Sequence, residues 1–375
     1  RSIRAGSRRQ RGKPGRKNSG IGPRPRRGSG SHALASDFSD TSEFTRAGEI
    51  NGGEKRSPGI AAILKSKPAN TPEDPSATPG DQRRPPDDLN RRGDFAHGVV
   101  MDDRYQIIQP LGSGGMARVY KAVDLELDDI VAIKVLREDR ATPVAAERFR
   151  REMRLCRRLV HRNIVRTYEF GSWSGQLYYT MELLVGRDLA ALMCVGAPQL
   201  SMEAALSLCV QACDGLGAAH NIGIVHRDVK PHNMMVVEAA KTLKITDFGV
   251  ARDDSSDSSN LTLDSHVVGT PAYLAPERLR DQESLSIQTD IYSLGASLYQ
   301  IFAGVLPFDG GSVEELLLNI LNEPPEQPVR HNPLIPERLN ALIMRLLEKN
   351  PAERLGSCAE VRDELLLTLA EVAES

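Results

Sequence analysis

The apolar residues of this chain change their spacing along its length, and that change constrains the fold more than any single motif. Period-2 alternation runs through Tyr105–Pro110, Arg118–Val123, Ile130–Leu136 and Leu177–Leu183, the spacing of half-buried strands. Between the third and fourth of these, Pro143–Val160 carries a helical stripe of Phe149, Met153, Cys156 and Leu159/Val160. After Gly186 the pattern turns helical. Ser201–His220 is amphipathic, Thr289–Ala303 is apolar nearly all round, and Val313–Leu321, Glu337–Glu348 and Ala359–Val372 follow. A helix apolar on every side has to be buried. The expected architecture is therefore α+β in two lobes, a strand-rich one of roughly eighty residues and then a helical one, each of ordinary domain size. No internal repeat is visible.

The stretch before Tyr105 has a different character. Residues 1–98 hold 14 Gly and 10 Pro, with Phe38, Phe44 and Phe95 as the only aromatics. Such a composition buries too little apolar surface to offset the entropy of ordering, so 1–98 reads as a disordered extension. A short apolar patch, Ile60–Leu64, interrupts it. Residues 1–32 carry eleven Arg/Lys and no acid, which leaves 37 basic against 50 acidic residues, a net −13, on everything after them. A basic arm thus precedes a mildly acidic protein. Its charge suits nucleic acid or an anionic membrane, although it offers no aromatic to stack a base. Its Arg- and Ser-rich, acid-free composition suits an organellar transit peptide equally well.

Several classes drop out. No run of 18 or more apolar residues exists, so no membrane-spanning helix is expected. The basic N-terminus lacks the apolar core of a secretory signal. Five cysteines, odd and sparse, fit a reducing compartment, and the expected location is cytoplasmic. Cys209 and Cys213 lie four apart in a helical pattern with no matching ligand pair nearby, so they read as buried thiols rather than metal ligands. The sequence opens on Arg1 rather than Met and reads as a fragment or a processed form.

Three segments carry chemistry. In the first, Leu111, Gly112, Ser113, Gly114, Gly115, Met116, Ala117, Arg118 and Val119 form a glycine-rich turn whose backbone N–H groups can approach phosphate oxygens. A dinucleotide site requires a helix after such a turn. Here Val119–Val123 continues as a strand, so the glycines close a hairpin. In the second, alternation puts Ala132 and Lys134 on one strand face and Val131, Ile133 and Val135 on the other, which lets Lys134 reach phosphates below that hairpin. Glu152 shares the buried side of the helical stripe with Phe149 and Cys156. An inward carboxylate needs a partner, and Lys134 is the one on offer. In the third, His226-Arg227-Asp228-Val229-Lys230-Pro231-His232-Asn233 precedes Asp247-Phe248-Gly249 and then Gly269-Thr270-Pro271-Ala272-Tyr273-Leu274-Ala275-Pro276-Glu277. Two carboxylates and an amide so spaced can divide labour, one orienting a hydroxyl nucleophile while the others hold Mg²⁺ on phosphates.

With these motifs in this order, the chain from about Tyr105 to Leu369 resembles the serine/threonine protein kinases, and its Gly-Ser-Gly-Gly-Met-Ala turn is most similar to the bacterial branch. The resemblance implies a kinase domain at 105–371, with an N-lobe at 105–181 containing one regulatory helix, a hinge at 182–186 and a helical C-lobe at 187–371. It implies that Lys134 contacts the α- and β-phosphates of ATP and pairs with Glu152. Asp228 would accept the substrate hydroxyl proton, or orient it, and Lys230 would neutralise charge on the transferred group. Asn233 and Asp247 would bind Mg²⁺, with Mn²⁺ as a substitute. Val119, Ala132 and Met235 would sandwich the adenine, Met181 would guard the back pocket, and the hinge Glu182-Leu183-Leu184 would offer backbone hydrogen bonds to the base. Phe248 and His226 would stack with Cys156. Glu277 would pair with Arg354, and Asp290 would brace the catalytic loop. Lys230 and Thr270 follow the serine/threonine pattern, so protein Ser/Thr hydroxyls are the implied substrates, and self-association through the strand-rich lobe is implied for trans-autophosphorylation.

The chain departs from the family at Ala117, which stands for a third glycine and is expected to stiffen the loop tip, and at Val229, a mild packing change. Arg227, expected to be buried, wants an anion, and a phosphorylated activation loop is the usual source. Thr262 is the expected autophosphorylation site, Asp264 a constant partial charge nearby, and Ser265 the runner-up. Two rival readings are a pseudokinase or scaffold, against which Lys134, Asp228, Asn233 and Asp247 all stand intact, and a protein whose basic arm is its main function.

Overall fold

The computed structural model describes residues 95–113, 117–137, 150, 153–154, 156–194, 200–237, 240–248, 271–281 and 286–374. Strands β1 (Val100–Met101), β2 (Tyr105–Ser113), β3 (Ala117–Asp124), β4 (Asp129–Leu136), β5 (Thr167–Trp173) and β6 (Gln176–Glu182) form one antiparallel sheet in the order β1-β2-β3-β4-β6-β5. Strands β2 and β3 pair on either side of the glycine segment, where Gly112 faces Val119 and Ser113 faces Arg118, with a register shift between Pro110 and Gly112. The two faces of β4 separate as alternation requires. Val131, Ile133 and Val135 join a cluster with Met101, Tyr105, Ile107, Tyr120 and Tyr178, while Ala132 and Leu136 join the large core that continues into the helical half.

That half begins with a small sheet of β7 (Gly186–Asp188), β8 (Met234–Val237) and β9 (Thr242–Ile245), and with a short helix α1 (Leu189–Met193). Helix α2 (Met202–His220) starts at Ser201, whose Oγ accepts the Ala204 N–H at 3.1 Å. It packs along α7 (Cys358–Ala373) and against β9. Helices α3 (Pro276–Arg280), α4 (Ile287–Ala303), α5 (Val313–Asn322) and α6 (Glu337–Leu346) complete the lobe. The all-round apolar pattern has its explanation in α4, which a Ser286 capping box opens, Gly304 closes at φ 79°, and which is buried along most of its length. A Cβ on Gly295 would meet the Cβ of Leu346 at 2.6 Å, so α4 and α6 approach too closely there for any side chain.

Four expectations change. The folded chain begins before Tyr105: Phe95 is buried, with its ring 5.1 Å from that of Tyr120 and 5.3 Å from that of Trp173, and Val100–Met101 adds an edge strand. Aromatic partners far along the sequence explain this, since a polar composition alone does not show them. The remainder of the proposed extension lies outside the described residues. Val160 is 71 % exposed although Leu159 beside it is buried, because the helical turn has already ended there. Ala117 is not at the loop tip but in β3, buried opposite Leu136. Arg227 is half-buried rather than buried. Cys209 and Cys213 are buried thiols, as read, and burial raises both pKa values, that of Cys209 to about 12.

Candidate active site

The loop after α2 is hung from the helical core by one carboxylate. Asp290, in the first turn of α4 and wholly buried, accepts the His226 N–H on Oδ2 at 2.7 Å and the Arg227 N–H on Oδ1 at 2.8 Å. His220 Nε2 meets the same Oδ2 at 2.8 Å. The positive end of α4 favours charge at this position. Arg227 is held at φ 71°, a conformation that costs a residue with a side chain on the order of 1–3 kcal/mol and persists only where neighbours enforce it. Next in the chain, Asp228 presents Oδ2 to Lys230 Nζ at 2.9 Å and to Asn233 Nδ2 at 3.0 Å, while Asn233 also donates to the Asp228 carbonyl at 2.8 Å. Asp228, Lys230 and Asn233, predicted together, are together.

The segment after β9 closes on this loop. Thr246 N–H donates to the Asn233 carbonyl at 2.9 Å, and His226 Nε2 donates to the Thr246 carbonyl at 2.9 Å, which sets Asp247 and Asn233 on adjacent backbones. Asp228 N–H donates to His226 Nδ1 at 3.2 Å, so both imidazole nitrogens are engaged. The His226 and Phe248 rings lie 4.5 Å apart, and Phe248, Cys156, Met153 and Tyr179 line a cavity of about 20 Å³. Asp247, at φ 58°, accepts from Lys134 Nζ at 2.5 Å. Burial works to raise the Asp247 pKa, but the Lys134 ammonium outweighs it and holds the carboxyl below its usual range. Burial likewise works to lower the Lys134 pKa, and Tyr179 and Asp247 together drive it above the usual lysine value. The partner predicted for Lys134, Glu152, lies outside the described residues, as do Gly114, Gly115, Met116, Thr262 and Thr270.

Around these groups, Ala132 and Met181 are buried and face each other across β4 and β6. Val119, Leu184 and Met235 are half-buried, Arg118 is half-buried, and Leu111, Gly112 and Ser113 are exposed. Glu182 spends its N–H on the Arg166 carbonyl at 2.9 Å and its carboxylate on Lys244 Nζ and the Arg166 N–H, each at 2.7 Å. Glu277 and Arg354 form a two-pronged pair at 2.7 and 2.8 Å, with the Arg354 side chain fully buried and its guanidinium 4.9 Å from the Tyr292 ring centre. Sequence reasoning missed Tyr179 and His220. Strand pairing opposite Lys134 was the signal for the first, and a histidine closing α2 just before the loop was the signal for the second.

The protein kinase domain family model matches residues 105–366, more than two thirds of the chain, and the chain belongs to that family. It is similar to serine/threonine-protein kinase PknB of Mycobacterium leprae, at 38% identity over 271 residues, 71% of this chain and 43% of that protein. A probable serine/threonine-protein kinase of Clostridium acetobutylicum is 35% identical over 269 residues, covering 72% of this chain and 40% of that one. Thus the chain spans about two fifths of the length of these curated relatives. Among solved structures, the kinase domain of Mycobacterium tuberculosis PknI, crystallised as a point variant, superposes with a TM-score of 0.58 at 27% identity, covering 74% of this chain and 99% of that one.

Proposed function

We propose that residues 105–371 form a serine/threonine protein kinase that transfers the γ-phosphoryl group of Mg·ATP to Ser and Thr hydroxyls of proteins. The observation that carries this reading is the intact, mutually bonded set Asp228, Lys230 and Asn233, with Asp247 paired to Lys134 beside it, in a chain of this family. Asp228 orients the substrate hydroxyl and takes its proton, and Lys230, 2.9 Å away, offsets charge on the transferred group. Lys134 holds the α- and β-phosphates, aided by Glu152. Asp247 and Asn233 would hold Mg²⁺ or Mn²⁺ through a carboxylate and an amide oxygen, hard donors that suit such ions. The metal, when bound, neutralises phosphate charge. Because the Glu182 N–H is already spent on Arg166, the base bonds to the Glu182 carbonyl and the Leu184 backbone. Val119, Ala132 and Met235 pack on its faces, with Met181 behind. The intact set disfavours the scaffold reading.

Thr262 is the activation-loop site whose phosphate Arg227 receives, and Thr270 belongs to the serine/threonine pattern of substrate choice. Self-association is supported by the strand-rich lobe, where Leu127 and Val160, 70 % and 71 % exposed, flank a groove of about 420 Å³ lined by both Arg157, Arg166 and Asp129, Glu169. A two-signed surface with apolar edges suits an isologous contact. The kinase domain acts in the cytoplasm; among the described residues no helix is long and apolar enough to cross a membrane. Residues 1–94 are a basic extension to it. The test is to incubate the chain with labelled ATP, Mg²⁺ and a generic basic protein beside Asp228→Asn, and to map phosphosites by mass spectrometry. Incorporation on Ser/Thr that vanishes in the variant is expected; equal incorporation in both overturns the assignment of Asp228, and none in either overturns the activity.

A further inference from the structure

Lys134 has a neighbour that the assigned chemistry does not use. Register places Tyr179 directly across from Lys134 on the antiparallel pair β4–β6, where opposed residues share a face with Cβ atoms about 5 Å apart. Tyr179 is buried, 6 % exposed, and lines the small cavity behind the site together with Asp247, Phe248 and Cys156. On that shared face the Tyr179 side chain lies beside the Lys134 ammonium, which donates to Asp247 at 2.5 Å, and Tyr179 joins Asp247 in raising the Lys134 pKa. A phenol this far inside needs a polar partner, and the ammonium is the charged group that the register sets across from it.

We infer that Tyr179 is a positioning residue for Lys134, a neutral second anchor that keeps the ammonium aimed at the nucleotide site when Asp247 turns from it to a metal ion; the inference rests on the assignment of Lys134 to the phosphates of ATP. A lysine side chain has four rotatable bonds, so when Asp247 is exchanged away a fixed neutral group in addition to Glu152 narrows the directions the ammonium can take. The Tyr179 hydroxyl, fixed on the neighbouring strand, carries no charge to compete with phosphate, so it holds the amine without drawing it away. The anchor should therefore show in nucleotide affinity more than in the chemical step.

The experiment compares Tyr179→Phe, Tyr179→Met and Lys134→Ala with the wild-type chain, measuring thermal midpoint, Kd for Mg·ATP, KM for ATP and kcat. Removing only the hydroxyl is expected to raise Kd and KM about five- to tenfold, the scale of a shared hydrogen bond to a charged group, while kcat changes less than twofold and the thermal midpoint stays near wild type. Tyr179→Met, which also lacks the hydroxyl, is expected to move Kd in the same direction. Wild-type Kd and KM in Tyr179→Phe, alongside lost ATP binding in Lys134→Ala, would overturn the role of Tyr179 and leave that of Lys134 standing. Wild-type ATP binding in Lys134→Ala would overturn the assignment on which the inference rests. A kcat loss in Tyr179→Phe without a change in Kd would also overturn it, since the anchor acts through affinity.

Discussion

The two sides of the candidate site are held in different ways. On the helical side, Asp228 sits at the end of a chain of buried contacts: α4 carries Asp290, Asp290 holds the His226 and Arg227 amides, and the Glu277–Arg354 pair ties the segment after the activation loop to the turn before α7. Each link is a charged hydrogen bond shielded from water, and the hold of Asp290 on the His226 and Arg227 amides supports the left-handed Arg227. On the strand side, Leu111, Gly112 and Ser113 are exposed, and Lys134 is held by Asp247, which belongs to the other lobe. The difference separates two tasks. On the proposed function, groups that stay fixed relative to the reacting hydroxyl are built into a core, whereas groups that open for a nucleotide to enter rest on a hairpin and a bond that can be exchanged.

The hardest way to break this comparison is to remove a buried link. Arg354→Ala leaves Glu277 without its partner, and a broken buried pair costs about 3–5 kcal/mol, so the urea midpoint should fall steeply and activity with it. A midpoint equal to wild type would mean that the pair does not hold the lobe. Phe95→Ala tests the strand side. Phe95 fills an edge cluster with Tyr120 and Trp173, and its loss should cost about 2 kcal/mol, below the scale for a central phenylalanine, read again by urea unfolding. Thr262→Ala should lower the rate several-fold, by about 1 kcal/mol on the barrier scale, and remove a mapped phosphate. An unchanged rate with no phosphate anywhere in that loop would sink the regulatory role. Smallest in stability is Leu127→Asp, an exposed position where substitution shifts folding by no more than about 0.5 kcal/mol. Its readout is sedimentation, where a loss of self-association is expected and an unchanged distribution of species argues against the proposed contact.

Most of the architecture was legible because its signals are local. Alternation reveals β2, β3, β4 and β6, and helices α2, α4, α5 and α7 begin at Ser201, Ser286, Ser312 and Ser357, residues whose side chains cap them. Strand β5 was missed because Thr167–Trp173 is half-buried on both faces and shows no clean period. The short strands β7 to β9 fall below the length at which alternation can be read. In the site, the residue types and order of Asp228, Lys230, Asn233 and Asp247 were legible. The Lys134–Asp247 bond was not, since it joins residues 113 apart and depends on how the lobes close. Phe95, Tyr179 and His220 share that reason: each earns its place from a partner distant in sequence, which composition cannot reveal.

The division of labour can be measured in one experiment, by determining Mg·ATP affinity and the single-turnover rate of phosphoryl transfer to protein on wild type, Asp228→Asn and Lys134→Met. Asp228→Asn is expected to bind ATP like wild type and to transfer at least about a hundredfold more slowly, the scale of a lost general base, while Lys134→Met is expected to lose affinity first. Wild-type transfer by Asp228→Asn, or undiminished ATP affinity in Lys134→Met, would contradict that division.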